Sequence, residues 1–374
     1  MSPLKPRLER LPPDLVCLTD YEAYARERLD DNAWAYLHSG AADELTMARN
    51  REAFGRIQLW PRQLRDLAQG HTRLELFGQP LDHPLLLAPV AHQGLYHPAG
   101  ELASAQGAAA LGAPLVVSTL ASQPLEAVAQ AGEGPLWFQL YFQPDRDFTL
   151  SLVQRAEAAG YQALVVTVDA PIFGLRNREQ RAGFHLPPGL EAANLRSMAP
   201  FQPAPLGPGE RMVFQGLMAY APTWADIAWL RSQTALPLLL KGILHPGDAL
   251  QGEALGVDGI IVSNHGGRTQ DTVPPSIQAL PRIATALEGR LPLLLDGGIR
   301  RGSDVFKALA LGARAVLIGR PYIYGLATAG ALGVAHCLKL LREELEVVMA
   351  LNGCATLGDI TPDSLFPDPA PPRP

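Results

Sequence analysis

Eight short apolar runs divide most of the chain, and each is continuous rather than alternating. They are "PLLLAP" (84–89), "PLVVS" (114–118), "LWFQLY" (136–141), "ALVVTVD" (163–169), "PLLLKG" (237–242), "GIIVSN" (259–264), "PLLLDGG" (292–298) and "AVLIGR" (315–320). A strand with one wet face alternates apolar and polar residues. Continuous runs belong instead to a parallel sheet buried on both faces, with helices packed outside it. The segments between the runs fit those helices. "ELASAQGAAALG" (101–112), "LSLVQRAEAAG" (150–160) and "GSDVFKALALGA" (302–313) are rich in Ala and Leu and end at or beside glycine, the usual C-cap residue. Eight βα units in one chain predict an α/β fold, a (β/α)8 TIM barrel over residues 81–358. A doubly wound sheet is the alternative, but it has no need of eight near-identical units.

Two parts lie outside the repeat. Residues 1–80, with "DYEAYARERL" and "NAWAYLHSGA", read as an N-terminal helical cap, and 175–223 as a long lid-like loop after the fourth run. The ending "PDPAPPRP" makes 359–374 a flexible tail, and the whole of 1–374 reads as one domain.

Composition narrows the function classes. The 374 residues are 47% hydrophobic and 18% charged, with net charge −6, which is an ordinary globular balance. Mild acidity and the lack of a basic run argue against nucleic acid. No apolar run approaches the ~18–20 residues of a membrane helix, so no membrane is expected. The N-terminus lacks the apolar centre of a secretion signal. Cys17, Cys337 and Cys354 are scattered, as suits a reducing compartment, and a cytoplasmic location is the expectation. No metal is expected either, since a metal-dependent barrel hydrolase needs an HxH pair and His92 and His97 are five apart.

A barrel places its chemistry at the C-terminal ends of its strands, and those ends are polar here. In order they offer Ser118, Gln139 with Tyr141, Thr167 with Asp169, Lys241, Ser263 with His265, Asp296, and Gly319 with Arg320. Any one of these could simply be solvated, but a lysine closing "LPLLLK" is a buried cation and needs a partner or a ligand. The seventh and eighth units carry "DGGIRRG" and "IGRP", which put glycine amides and arginines where barrels often hold a phosphate. A phosphorylated cofactor across the barrel mouth is implied. Neither GxGxxG after the first run nor GxxxxGK[ST] occurs, which removes the dinucleotide and P-loop readings.

"VSNHGGR", "LDGGIRRGSDVFKALALGA" and "IGRP", with "DYEAYA", "SGAADE", "FQLY", "TVDAP" and "LKGI", resemble the FMN-dependent 2-hydroxy-acid oxidases and dehydrogenases over residues 18–358. That family includes glycolate oxidase, lactate oxidase and mandelate dehydrogenase. The resemblance implies an FMN-bearing barrel that oxidises an (S)-2-hydroxy acid to the 2-oxo acid, with O2 as acceptor giving H2O2, and a homotetramer.

Position by position, His265 matches the active-site base and Asp169 the carboxylate paired with it. Tyr141 matches the tyrosine beside the substrate hydroxyl, and Tyr36, Arg176 and Arg268 match the groups holding the substrate carboxylate. A guanidinium fork suits that task because it donates two parallel hydrogen bonds. Lys241 matches the lysine at the flavin N1–C2=O edge. Pro89, Val90, Ala91, Ser118, Gln139, Thr167 and Ser263 match other flavin contacts. Asp296, Gly297, Gly298, Arg300, Gly319 and Arg320 match contacts to the ribityl chain and phosphate.

Three departures bear on substrate. Leu120 stands where glycolate oxidases have tryptophan, His92 where they have methionine, and Leu175 where they have arginine. Leu120 is expected to widen the pocket, so L-lactate or a larger acid is expected above glycolate. His92 is expected to be a simple hydrogen-bonded residue. The alternatives are a 2-hydroxy-acid dehydrogenase passing electrons to a quinone, an FMN-dependent isomerase, and a non-catalytic flavin-binding protein. The loop at 175–223 has no long apolar run, which favours oxygen over a quinone.

Overall fold

The computed structural model describes residues 4–202 and 204–367. A hairpin of β1 (Leu74–Leu76) and β2 (Gln79–Leu81) precedes the barrel strands. These are β3 (Leu85–Leu87), β4 (Leu115–Ser118), β5 (Leu136–Leu140), β6 (Leu164–Thr167), β7 (Leu238–Ile243), β8 (Gly259–Val262), β9 (Leu293–Leu295) and β10 (Ala315–Ile318). Each apolar run of the sequence supplies one of them. They are all parallel, and β10 closes the barrel by pairing with both β3 and β9.

Side-chain alternation sets what the barrel holds. Leu86, Val116, Trp137, Val165, Leu239, Ile261, Leu294 and Leu317 form one buried cluster inside the barrel. Two residues further along the same faces come Ala88, Ser118, Gln139, Thr167, Lys241, Ser263, Asp296 and Gly319. Because strand side chains repeat every second residue, an apolar layer is followed by a largely polar one at the C-terminal mouth.

The N-terminal region corrects the expectation of a helical cap to residue 80. Three helices, α1 (Asp20–Arg26), α2 (Asp31–His38) and α3 (Leu45–Arg56), end at Arg56, and the hairpin follows. Phe77 (φ 51°) and Gly78 (φ 74°) form its two-residue turn, the left-handed geometry that hairpins favour. Leu76, Leu81 and Phe77 pack onto the interior cluster, with Phe77 edge-on to Trp137 at 5.6 Å, so the hairpin plugs one end of the barrel.

The tail expected to be flexible from 359 is instead pinned as far as Phe366. Leu365 bridges to Leu59, Phe366 N–H donates to Gln58 O at 2.9 Å, and its ring meets Trp60 edge-on at 5.2 Å. Residues 368–374, with the rest of the proline-rich end, lie outside the described residues.

Among the described residues, Arg320–Leu351 is long and apolar enough to cross a bilayer. Non-helical angles at Ala329 and Gly330 break it, and 67% of its most apolar stretch is buried within this fold.

Candidate active site

The loop after β8 explains its own sequence. His265, Gly266 and Gly267 all have positive φ (57°, 64° and 75°), a tight left-handed turn that strains any side chain but glycine. A Cβ on Gly267 would stand 2.7 Å from Met47 N, so α3 packs directly on the loop. Asn264 anchors the turn: its amide exchanges hydrogen bonds with buried Asn50 of α3 at 2.8 and 2.9 Å, and its Oδ1 accepts from Gly267 N–H at 3.2 Å. Ser263 Oγ accepts from His265 N–H and from Lys241 Nζ, both at 3.0 Å. The polar triplet therefore fixes where the imidazole points.

That imidazole meets Asp169, with Nδ1 2.9 Å from Oδ1. Gly242 makes the room, because a Cβ there would stand 2.5 Å from both Cβ and Cγ of Asp169. Its φ of 108° marks the irregularity where β7 shifts register against β8. Burial pushes the Asp169 carboxyl up, but the charge and hydrogen bond of His265, with Lys241 behind them, hold it below the usual carboxylate range. A carboxylate on Nδ1 leaves Nε2 as the nitrogen free to take a proton, and it stabilises the imidazolium that results.

Lys241 is 3% exposed and lies 3.0 Å from Asp296 Oδ2. Burial lowers its ammonium, yet Asp296 and then Asp169 outweigh that and raise it above its ordinary value. Burial first, and Asp169 second, push the Tyr141 phenol up, so it stays protonated as a donor.

Arg176 and Arg268 come together beside Tyr36, their guanidinium carbons 5.9 and 5.1 Å from its ring centre. Phe184, from the loop after β6, stacks on the other partner of this group, the Tyr36 ring, at 4.4 Å and 14°. Arg268 NH1 donates to Tyr36 O and Ser39 O, the carbonyl end of α2, at 2.7 and 2.9 Å.

These groups surround one cleft, about 1080 Å³ when the solvent in its open mouth is included. Its wall includes Tyr36, Pro89, Val90, Ala91, Ser118, Leu120, Gln139, Tyr141, Thr167, Arg176, Lys241, His265, Arg268, Asp296, Gly297, Gly298, Arg300, Gly319 and Arg320. Two expected residues stand behind the wall rather than on it. Asp169 orients His265, and fully buried Ser263 holds Lys241 and the His265 amide.

Arg320 lines the cleft, but all three of its guanidinium nitrogens donate to carbonyls, those of Leu37, Gly266 and Ser39. It ties the barrel to α2, and burial with nearby Arg268 lowers it to about 10. Arg300 donates within the protein to Ile299 O at 2.9 Å, and burial lowers it too. His92 departs from the simple hydrogen-bonded role expected of it: it is 8% exposed with positive φ, and its Nδ1 has no partner among the described residues.

The mouth also fits a flavin. Among the described residues, Gln139 Nε2 and Asp296 Oδ1 are buried without hydrogen-bond partners. Buried polar groups are rarely left unpaired, so a donor and an acceptor stand ready for a polar ligand. They are residues matched to the flavin ring and to the ribityl chain and phosphate.

Glu179 is not singled out by the sequence. It accepts from both arginines and from Ser39 Oγ, the last at 2.5 Å. Its i,i+3 spacing from Arg176 was the available signal, but such a pair usually marks a solvated helix face.

The FMN-dependent dehydrogenase family matches residues 25–367. An L-lactate oxidase of Alicycliphilus denitrificans is 52% identical over 361 residues, 96% of this chain and 98% of that protein. Glycolate oxidase 1 of Zea mays is 42% identical, covering 93% of this chain and 95% of its own. A mandelate oxidase variant solved with (S)-mandelic acid superposes with a TM-score of 0.85 at 42% identity, covering 94% and 98% of the two chains. With a closed eight-stranded barrel, a histidine–aspartate pair and two arginines in one cleft, this chain belongs to the FMN-dependent dehydrogenase family.

Proposed function

We propose that the protein oxidises an (S)-2-hydroxy acid, with L-lactate or a larger acid preferred over glycolate, to the 2-oxo acid, and that O2 is reduced to H2O2. The observation that carries this is the convergence of His265, backed by Asp169, with Arg176 and Arg268 in the same cleft. An isomerase or a non-catalytic flavin carrier has no use for all four. Likeness to L-lactate oxidases at 49–52% identity supports both the substrate and the acceptor.

The chain's own residues divide the work. Arg176, Arg268 and Tyr36 hold the carboxylate, which fixes C2 in the cleft. Tyr141 donates to the C2 hydroxyl oxygen, and His265 Nε2 removes that hydroxyl's proton. Asp169 stabilises the resulting imidazolium. Gln139, Ser118 and Thr167 would hold the flavin ring, with Lys241 at its N1 edge, while Asp296, Gly298, Arg300 and Gly319 would hold the ribityl phosphate. When bound, FMN supplies the acceptor for the two electrons leaving C2, and the Lys241 charge offsets the negative charge gained.

Leu120 lines the cleft and is held by its amide to Ser118 Oγ at 3.1 Å. Its side chain leaves space for a substituent on C2, and each methylene is worth about 1–3 kcal/mol of discrimination. Oxygen uptake measured with glycolate, L-lactate and L-mandelate tests the reading: kcat/KM is expected to be lowest for glycolate. Preference for glycolate, or no uptake with any acid, refutes it.

A second reading, electron transfer to a quinone, rests on one observation. Met212, Val213, Phe214, Leu217 and Met218 of the loop after β6 are exposed together. Turnover of a soluble quinone without oxygen uptake would establish that reading instead. A cytoplasmic homotetramer is part of the main proposal. Buried, unpaired Cys17, Cys337 and Cys354 fit a reducing compartment, and light scattering at four times 40.2 kDa tests the assembly.

A further inference from the structure

The two arginines assigned to the substrate carboxylate already share a carboxylate of the protein. Arg176 NH1 donates to both oxygens of Glu179, at 3.1 and 3.2 Å, and Arg268 NH2 donates to Oε1 at 3.2 Å. Ser39 Oγ fixes the same oxygen from α2. The three charged side chains are only 12–15% exposed, so solvent screens them incompletely and their charge count matters. Two guanidiniums and one carboxylate sum to a single positive charge. The other acids at the mouth are committed elsewhere, Asp169 to His265 and Asp296 to Lys241. Arg320 stands behind this group and adds a further positive charge, but its donors all go to the carbonyls of Leu37, Gly266 and Ser39.

We propose that Glu179 is a specificity-determining residue that matches the site to monocarboxylates and rejects dicarboxylates. This rests on the reading of Arg176 and Arg268 as the carboxylate site. With Glu179 present, one substrate carboxylate neutralises the pair. A second carboxylate would meet the Glu179 carboxylate after the pair's single net charge is used, with only Arg320, whose donors are spent on carbonyls, left behind it. Without Glu179 the site gains a charge, and a dianion benefits more than a monoanion because two of its groups feel the change.

Pyruvate and oxalate make a suitable probe pair, because oxalate carries an ionised oxygen where pyruvate has its methyl, which turns the keto end into a second carboxylate, and neither is turned over by the oxidised protein. Titration calorimetry on the oxidised, flavin-loaded protein gives the ratio of the two affinities for wild type, Glu179→Gln, Glu179→Ala and Glu179→Asp. The oxalate-to-pyruvate affinity ratio is expected to rise about tenfold or more in both charge-removing variants. It is expected to shrink toward the wild-type value at high salt and to stay near wild type in Glu179→Asp. A merely structural clip would weaken both ligands together and leave the ratio unchanged, and that result overturns the proposal. Wild type binding neither ligand overturns the carboxylate site as well, whereas normal wild-type binding with an unchanged ratio overturns the role of Glu179 alone.

Discussion

Replacing Asp169 by asparagine keeps the shape of the site and removes one charge. The Nδ1–Oδ1 distance of 2.9 Å places the carboxylate against the ring, with side-chain exposures of 23% for His265 and 12% for Asp169. Taking about 4 Å between charge centres and an effective dielectric of about 20, the carboxylate stabilises an imidazolium by about 4 kcal/mol, and partial exposure of the ring reduces that to about 2–4 kcal/mol. That stabilisation is absent while the ring is neutral, so it acts on the step in which the ring takes the proton. Asp169→Asn is therefore expected to slow anaerobic flavin reduction by L-lactate roughly 30- to 1,000-fold. Pyruvate affinity and flavin content should change less than about threefold, because neither Arg176 nor Arg268 touches Asp169. Stopped-flow absorbance gives the rate, calorimetry gives the affinity, and a thermal melt confirms the fold. A reduction rate within fivefold of wild type, or a loss that appears in pyruvate binding instead, would refute the assignment.

Four further outcomes are expected. His265→Gln should retain flavin and lose about 10²–10⁴-fold in reduction rate, measured the same way, and a near wild-type rate would remove it as the base. Lys241→Met should weaken FMN binding in equilibrium dialysis as well as its reduction, whereas Arg176→Lys should keep FMN and raise KM, since lysine cannot donate the same fork; equal flavin loss in both would show the roles to be confused. Leu120→Trp should shift the kcat/KM ratio toward glycolate, and an equal fall on every acid would count against the pocket assignment. The Asp169 carboxyl lies below its ordinary range in the folded protein, so its stabilisation is present above the unfolded value and disappears as pH falls through the folded one. The stability gap between wild type and Asp169→Asn should then be widest above about pH 5 and close below about pH 4, and a gap independent of pH would contradict the shift.

The barrel and most of its mouth are legible in the sequence because one rule generates both. Continuous apolar runs give strands buried on both faces, and counting two residues beyond Val116, Trp137, Val165, Leu239 and Leu294 lands on Ser118, Gln139, Thr167, Lys241 and Asp296. The roles of Tyr36, Arg176 and Arg268 came from resemblance, since nothing in their local pattern separates them from packing or solvated residues. What stayed hidden depends on partners far along the chain. Glu179 is 89 residues from Arg268 and 140 from Ser39. Arg320 spends two of its three donors on carbonyls at the end of α2, more than 280 residues away. The pinned tail likewise rests on Trp60 meeting Phe366, a contact that no local composition encodes.

Anaerobic titration with L-lactate and D-lactate, followed by readmission of oxygen, tests the central claim most directly. The protein is expected to be yellow, with a visible flavin band that the L-acid bleaches and the D-acid does not. Oxygen should then restore the colour, with one H2O2 formed for each 2-oxo acid. A flavin that no L-2-hydroxy acid bleaches, or one that both enantiomers bleach equally, would contradict it.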